Sequence, residues 1–542
     1  MEPTQDDTGR LSSFAARMDE NALGVLMLLL LSYLAVTLTQ ASIRLLWFDE
    51  FITFYIAKLN SFHAIWNALD RGADPNPPLT HLAAMWSMHW FGENAIAFRL
   101  PSIVAGLLGI TCLFLLLKRK LPVLYAAIGT LFFMGTAGMD YSYEGRSYAL
   151  MLAFCISSFL CWRLAVESKH KYVAAAFTAL ALALGLSSNY FAVLAWFPIA
   201  GGELTYTLRT RKIRWHVVAA MVIGALPLLL YWPLIHHSIA VFSPFAWNKP
   251  HLMVIWNSYE QMAAVNLILA CALIVSVAIV AYYDRRLLVR ARTLSPEEIT
   301  AVVLLILYPV LGYVVAKLRA GMISPRFVLP LCYGLAIASA VLGFKLFGRR
   351  AKLGVALLIT CAVLFLAREG VIGYWFYQQR LAVLRVCERL PAGDTAVVSD
   401  SLLVLPLHYY ARPEVASRIV FPIDFEAIRR YKGEDSPEQN LWAGRDLFPV
   451  PIVPLQDFRQ GSSNYLIVTT RQNWLVQKLA RDGEPPEELA IPTDTQAIGG
   501  FFPLSHGEVY FFQEGDLPEQ ADAHTVVPPQ HPTSHDSSAV KR

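Results

Sequence analysis

Charged residues are scarce in this sequence. Asp, Glu, Lys and Arg make up only 16% of the 542 residues, whereas 56% are hydrophobic and the mean hydropathy is +0.44. Because ordinary soluble domains carry about 25% charged residues, the composition excludes a soluble protein of this size and indicates a polytopic membrane protein. The net charge of +4 is small for this length and says little about partners, and no nucleic-acid partner is expected.

The seven cysteines provide neither a disulfide framework nor a zinc site. Six of them fall inside apolar runs, only Cys387 lies in a polar region, and no zinc-ligand spacing is present. No internal repeat is visible either. The first 20 residues are polar, and the apolar run behind them has no small-residue cleavage site, which predicts an uncleaved first helix rather than a signal peptide.

Long apolar runs recur along the first two thirds of the chain. Each is long enough, or nearly so, to cross about 30 Å of hydrocarbon as a helix. They predict about eleven spans, near residues 22–42, 100–117, 121–138, 147–165, 172–187, 190–207, 217–235, 261–282, 299–316, 327–346 and 353–376.

Clustered basic residues fall in every second loop of this scheme. The clusters are Lys118 to Lys120, Lys169 with Lys171, Arg209 to Arg214, Arg285 to Arg292 and Lys345 to Lys352. The positive-inside rule places these loops, and with them the N-terminus, in the cytoplasm. An odd number of spans then places everything after residue 376 outside the inner (plasma) membrane.

Two further regions complete the predicted architecture. Residues 43–94, on the outer face, show helical periodicity on both sides of a Pro-rich turn and predict two interfacial amphipathic helices. Strand-like runs at 395–398, 417–421, 464–469 and 508–513 alternate with helix-like stretches such as 380–390. They predict an extracytoplasmic α/β domain over 377–515, behind the transmembrane domain 1–376. Residues 516–542 have the composition of a disordered tail. The predicted fold is therefore a polytopic α-helical membrane protein with a small outer α/β domain.

Two adjacent carboxylates, Asp49 and Glu50, follow the first span directly. One interpretation is that they only mark its polar end. However, adjacent carboxylates repel each other, and partial desolvation raises a carboxyl pKa, which suits acid/base chemistry at the bilayer surface. Because helix neighbours diverge by about 100°, only one is expected to face a given site. Asp49 is predicted to be the catalytic base and Glu50 its support.

The sequence Asp74-Pro75-Asn76-Pro77-Pro78 follows about 25 residues later. Its prolines are typical of a rigid connector between two helices. That explanation leaves out Asp74 and His81, which flank the prolines. A stiff turn that holds a carboxylate in place is also typical of a preorganised substrate site.

Isolated arginines mark the outer ends of several spans. Arg146 lies among Tyr141, Tyr143 and Tyr148, and Arg326 opens the tenth span in Ser324-Pro325-Arg326-Phe327. Both are explained either as snorkelling cations in an aromatic belt or as a clamp on a phosphate group. Arg99 is expected to pair with Glu93 or with the carboxylate pair. His236 and His237 are read as ordinary interfacial histidines, because no third ligand lies at metal spacing.

Taken in order, these motifs resemble bacterial GT-C glycosyltransferases. The motifs are Trp47-Phe48-Asp49-Glu50, Asn76-Pro77-Pro78-Leu79, Phe98-Arg99-Leu100-Pro101-Ser102, Glu144-Gly145-Arg146-Ser147-Tyr148 and Ser324-Pro325-Arg326-Phe327. The resemblance covers about residues 22–346 and is closest to the protein mannosyltransferase and aminoarabinose transferase group. In the latter a Glu lies two positions before a proline of the turn, whereas this chain has Pro75 there and Asp74 one residue further back.

The resemblance implies an inverting glycosyltransferase that uses a polyprenyl-phosphate sugar donor in the bilayer. It implies Asp49 and Glu50 as catalytic residues, with Arg146 and Arg326 at the donor phosphate. The expected substrate-binding set is Asp74, His81, Arg99, Tyr143, Arg146, Tyr148 and Arg326. The acceptor class (protein, lipid or glycan) and the involvement of a divalent metal stay open, and no metal ligand is assigned.

A transporter or flippase of lipid-linked sugars is the alternative. Such a protein is expected to carry ionisable residues near the middle of the membrane and often paired repeats. Here the charged residues fall at span ends, which favours the enzyme.

Overall fold

The computed structural model describes residues 5–283, 288–289, 293–390, 393–461, 464–469, 473–489 and 510–514. Its first part is helical. In chain order the helices are α1 (Gln5–Glu20), α2 (Ala22–Ile43), α3 (Phe48–Ala57), α4 (Phe62–Asp70), α5 (Leu79–Phe91), α6 (Ala95–Lys118), α7 (Val123–Met134), α8 (Tyr148–Glu167), α9 (Lys171–Ser188), α10 (Trp196–Thr210), α11 (Trp215–Gly224), α12 (Pro227–Phe242), α13 (Met253–Ala263), α14 (Val265–Tyr283), α15 (Pro296–Ile306), α16 (Tyr308–Val315), α17 (Leu331–Phe347) and α18 (Ala351–Arg389).

One apolar helical segment lies at each predicted span, although two of these segments are shorter than membrane length. Within the described residues, eight helical segments are long and apolar enough to cross a membrane, and a ninth is the pair α15 and α16, bent by 61°. Two shorter apolar helices, α7 and α17, account for the remaining two. The predicted polytopic helical fold is thus confirmed, with eight or nine helical segments of membrane length among the described residues against about eleven predicted spans. The Arg285 to Arg292 cluster lies largely outside the described residues.

The segment between the first and second spans contains three helices, α3 to α5, rather than the predicted two. The extra break is at Asn60, whose φ of 53° is left-handed and cannot continue a right-handed helix. Ser61 then caps α4, because its hydroxyl accepts a hydrogen bond from the Ala64 amide at 3.1 Å. We call α3 to α5 the platform.

The C-terminal part of the chain forms one six-stranded sheet with flanking helices, and we call this part the sheet domain. The strands are β1 (Ala396–Ser399), β2 (Ile419–Ile423), β3 (Ile452–Pro454), β4 (Tyr465–Thr469), β5 (Glu487–Leu489) and β6 (Tyr510–Glu514). The helices are α19 (Val404–Tyr410), α20 (Pro413–Ala416), α21 (Phe425–Tyr431), α22 (Ser436–Ala443), α23 (Leu455–Gly461) and α24 (Trp474–Asp482). The strand order is β3-β2-β1-β4-β6-β5, parallel from β3 to β4 and antiparallel beyond.

This α/β part packs directly on the platform. Apolar side chains of α3 to α5 and of the sheet belong to one buried cluster. The Phe51 ring lies 5.1 Å from the Tyr409 ring, and the Tyr410 hydroxyl accepts a hydrogen bond from the Leu46 amide. The helix-like stretch at 380–390 is the end of α18, the helix of the last span, and not a separate helix of the outer domain. The predicted tail, 516–542, lies outside the described residues.

Candidate active site

Asp49 lies where two cavities meet. It occupies the first turn of α3, where the positive end of the helix dipole favours a carboxylate. The first cavity has a volume of about 190 Å³ and the second about 480 Å³. Asp49 and Arg326 line both cavities, as do Trp247 and Pro437.

The first cavity combines an apolar wall with a polar end. Ile235, Ile239 and Phe242 of the membrane helix α12 form part of the apolar wall. Arg146, Arg326 and Asn76 are among its polar residues. A ligand with an anionic head and an apolar tail fits this division.

Arg326 is paired with Asp49. Its Nη1 donates to Asp49 Oδ2 at 3.0 Å, while its Nε has no hydrogen-bond partner in the described part of the chain. The guanidinium lies 5.6 Å from the ring centres of both Tyr148 and Trp247. Aromatic faces stabilise such a cation, so Arg326 is fixed between the cavities with donor capacity left for a ligand.

Asp74 holds Arg146 in place. Arg146 Nη1 donates to Asp74 Oδ2 at 2.7 Å, to the Thr53 hydroxyl and to the Asp49 carbonyl. His81 Nε2 lies 3.3 Å from the same Asp74 oxygen. Burial alone would raise the pKa of Asp74, but the nearby Arg146 and His81 lower it well below its usual range. Asp74 and His81, both fully buried, therefore orient Arg146 and do not line either cavity.

Glu50 points away from the cavities and forms a buried ion pair. Its carboxylate accepts hydrogen bonds from Arg99 Nε at 2.8 Å, Arg99 Nη2 at 2.7 Å and the Gly145 amide at 2.7 Å. Arg99 also donates to the carbonyls of Ala41, Arg44 and Leu45 at the end of the first span. Burial would raise the pKa of Glu50, but the Arg99 charge lowers it, so the carboxyl is ionised.

This pair differs from the roles predicted for its members. Arg99 was expected to bind substrate and Glu50 to support catalysis, yet both side chains have no exposed surface. They instead tie the first span, the second span and the platform to the loop that carries Arg146. That loop must approach closely, since a Cβ added to Gly145 would overlap the Phe98 ring.

The two predicted tyrosines occupy different environments. Tyr148 lines the first cavity next to Arg326. Tyr143 is fully buried away from both cavities, and its hydroxyl donates to Asp140 Oδ1 at 2.8 Å. The predicted substrate contact of Tyr143 is therefore absent from this arrangement, because its hydroxyl is already used.

Several residues of the cavities escaped the sequence reasoning. Asn189 lines the first cavity, where its amide donates to the Asn76 oxygen at 3.3 Å and to the Ser147 hydroxyl at 2.9 Å. The only sequence signal for Asn189 is its position in the polar break between two spans. Trp247, Gln379 and Lys432 come from separate later segments, and no local motif marks them.

No metal-binding group emerges from the described ranges. Within them, no three His, Cys, Asp or Glu side chains are grouped so that they could hold an ion. The pair Asp74 and His81 lacks a third such ligand there.

Comparison with known proteins finds a family model that matches part of this chain. Residues 75–236, which include the proline turn, Arg99, Arg146 and Asn189, match the model of the dolichyl-phosphate-mannose-protein mannosyltransferase family. No curated protein sequence matches the chain.

The fold matches the solved structures of ArnT over nearly the whole chain. ArnT from Cupriavidus metallidurans in the apo state has a TM-score of 0.57 at 11% identity, covering 91% of this chain and 98% of that one. The same protein bound to undecaprenyl phosphate has a TM-score of 0.54 at 12% identity with the same coverage. The Archaeoglobus fulgidus oligosaccharyltransferase, apo form, has a TM-score of 0.47 at 11% identity, covering 83% and 69%.

The chain thus has the fold of ArnT, and residues 75–236 resemble the mannosyltransferase family. The predicted fold class, a polytopic helical membrane protein with a small α/β part, is thereby confirmed. The segment that matches the family model runs from residue 75 to residue 236, so neither Asp49 nor Arg326 lies within it. Any role assigned to Asp49 and Arg326 therefore depends on the geometry described above.

Proposed function

We propose that this protein is a membrane glycosyltransferase that moves a sugar from a polyprenyl-phosphate-linked donor to an extracytoplasmic acceptor, with inversion at the anomeric carbon. The observation that carries the proposal is the Asp49–Arg326 pair at the junction of the two cavities. In this proposal Asp49 is the base and Arg326 the phosphate-binding cation, and the two adjoining cavities take the two substrates.

The first cavity suits the lipid-linked donor. Its apolar wall belongs to a membrane helix, whereas Arg326 and Arg146 supply positive charge at its polar end. Arginine binds phosphate with directed, charge-assisted hydrogen bonds. The undecaprenyl phosphate in the similar ArnT structure supports this class of donor, as does the dolichyl phosphate in the name of the matching family.

Asp49 is the proposed general base. As the acceptor hydroxyl oxygen bonds to the anomeric carbon, Asp49 takes its proton, and the bond from that carbon to the phosphate oxygen breaks. The electron pair leaves with the lipid phosphate, whose added negative charge Arg326 and Arg146 stabilise. Attack from the side opposite the leaving phosphate inverts the configuration. Asp49 then releases its proton to water.

Replacing Arg326 by Gln tests the donor site. The variant loses the charge but keeps an amide donor, and we expect undecaprenyl phosphate to bind about tenfold or more weakly, because hydrogen bonds to charged groups contribute about 1.5–3 kcal/mol. Binding is measured by tryptophan-fluorescence titration of the full-length protein in nanodiscs. Lys58→Gln is the matched control, because Lys58 is a cation of the outer loop that pairs with Glu93 and lines neither cavity. Unchanged affinity in Arg326→Gln would remove this arginine from the phosphate site.

The proposed topology has an independent test. Glu414 is exposed in the C-terminal part and Lys212 is exposed in a basic loop. With Glu414→Cys, a membrane-impermeant maleimide is expected to label intact cells, whereas Lys212→Cys is labelled only after permeabilisation. The native cysteines give little background, since among them only Cys271 is exposed and it lies in the apolar helix α14. The reverse labelling pattern contradicts the outer location of the sheet.

A further inference from the structure

The charged side chains of the second cavity occur in opposite pairs. No other Asp, Glu, Lys or Arg lines this cavity in the described part of the protein. The pairs are Arg44–Glu144 (Nη2 to Oε2, 2.9 Å), Arg326–Asp49 (Nη1 to Oδ2, 3.0 Å) and Lys432–Glu434 (Nζ to Oε1, 2.7 Å). Because each pair is electrically neutral, the wall has no charge excess with which to select an anionic or a cationic ligand.

Polar atoms nevertheless remain without a protein partner around this cavity. Gln379 has no exposed surface, and both its amide nitrogen and its amide oxygen lack a hydrogen bond within the described residues. Other residues that line this cavity also have a donor or an acceptor without a partner in the described part of the chain. These atoms are Arg44 Nε, Arg326 Nε, Trp47 Nε1, Glu144 Oε1 and Glu434 Oε2. Buried polar groups are normally hydrogen-bonded, so this mixed set of donors and acceptors indicates a ligand that both donates and accepts.

Aromatic rings complete the wall. Trp47, Trp247 and Trp375 line the second cavity together with Tyr141 and Phe376. An indole offers a broad apolar face beside a polar N–H. A pyranose ring has matching surfaces, because its C–H face stacks on an indole while its hydroxyls at the edge both donate and accept hydrogen bonds.

We propose that the second cavity binds the acceptor, and that the acceptor is a neutral saccharide. This assignment rests on the proposed function, in which Asp49 takes the proton of an acceptor hydroxyl at the junction of the cavities. Because Arg326 is assigned to the donor phosphate, a phosphorylated glycan or a charged peptide would meet only Arg44 and Lys432, each already paired with a carboxylate. An uncharged peptide leaves most of the indole surface without a stacking partner.

The C-terminal part contributes one side of this acceptor cavity. Leu402 follows strand β1, whereas Lys432, Glu434 and Pro437 come from the segment that follows helix α21. Lys432 is fixed by Glu438 Oε1 at 2.9 Å as well as by Glu434. The sheet domain thus takes part in choosing the acceptor.

Saturation-transfer NMR with the full-length protein in nanodiscs tests the assignment. The probes are maltose, cellobiose and chitobiose, compared with glucose 6-phosphate and an uncharged Ser/Thr-containing hexapeptide. We expect signals from one or more neutral disaccharides that exceed those of the other two probes. Gln379→Leu and Trp375→Leu should each lower the disaccharide affinity about tenfold, through lost hydrogen bonds and lost stacking respectively. Both residues line the second cavity only.

Tyr374→Leu is the matched control, because Tyr374 is the exposed aromatic neighbour of Trp375 and lines neither cavity. Undecaprenyl phosphate binding is measured on the same samples and should be unchanged in all three variants. If the wild-type protein fails to bind undecaprenyl phosphate, the proposed function fails. If it binds this lipid but no disaccharide, or if Gln379→Leu and Trp375→Leu leave disaccharide binding unchanged, only the acceptor assignment is overturned. Stronger signals from the phosphosugar or the peptide overturn it as well.

Discussion

An Asp49→Asn variant is expected to transfer sugar about 10²- to 10⁴-fold more slowly than the wild type, the range typical of general-base catalysis. The amide keeps the shape of the side chain and still offers an oxygen to Arg326, but it cannot take the acceptor proton. The rate is measured with a polyprenyl-phosphate-linked sugar and the cell-envelope acceptor, by the appearance of lipid phosphate. Undecaprenyl phosphate affinity should persist, because Arg326 and Arg146 remain.

Asp70→Asn serves as the control for Asp49→Asn. Asp70 is an exposed carboxylate at the end of α4 in the same outer segment, and its loss should leave transfer unchanged. Wild-type turnover by Asp49→Asn would eliminate Asp49 as the base. A loss of lipid-phosphate binding in that variant would instead indicate a role in donor binding.

Replacing Arg99 by Met should cause the largest loss of stability. The substitution leaves the Glu50 carboxylate fully buried without its counter-charge and removes the donors to three carbonyls at the end of the first span. Removing one member of a buried ion pair costs about 3–5 kcal/mol of the free energy of unfolding. The melting temperature of the detergent-solubilised protein is expected to fall accordingly.

Two comparison variants separate burial from charge in this test. Lys58→Gln breaks the exposed Lys58–Glu93 pair and should cost no more than about 1 kcal/mol. The double variant Glu50→Leu with Arg99→Met removes both charges and should be more stable than Arg99→Met alone, since apolar replacement of a buried pair is often tolerated. An unchanged melting temperature in Arg99→Met would show that the pair does not hold the platform in place.

The sequence was most informative where hydropathy or a local motif carries the signal. The spans follow from apolar length alone, and β1, β2, β4 and β6 coincide with strand-like runs. Strands β3 and β5 have three residues each, too few for an alternating pattern to emerge. The break at Asn60 was missed because a left-handed residue leaves no mark in the apolar periodicity around it.

Side-chain direction was harder to predict than position. Helix geometry indicates that Asp49 and Glu50 diverge, but only the packing shows that Asp49 faces the cavities and that Glu50 faces Arg99. For the same reason, Asp74 and Arg146 appeared as two substrate-binding candidates, whereas they form one buried pair. Gln379 and Lys432 lie in helices and loops far along the chain, so only the tertiary fold brings them to Asp49.

Helix α18 limits where the sheet domain can move relative to the membrane part of the protein. Its 39 residues span about 58 Å, about twice the hydrocarbon thickness, and it runs without a break from the last span to the sheet domain. Trp375 and Gln379 sit on this rod, which is pinned to the first span where Gln40 Nε2 donates to the Glu369 carbonyl at 2.8 Å. Because this helix has no break between the membrane and Arg389, a rotation of the sheet domain relative to the membrane part cannot take place within it. Trp375 and Gln379 therefore keep their places relative to the first span, so the wall that they form in the proposed acceptor site belongs to the rigid, membrane-anchored part of the protein.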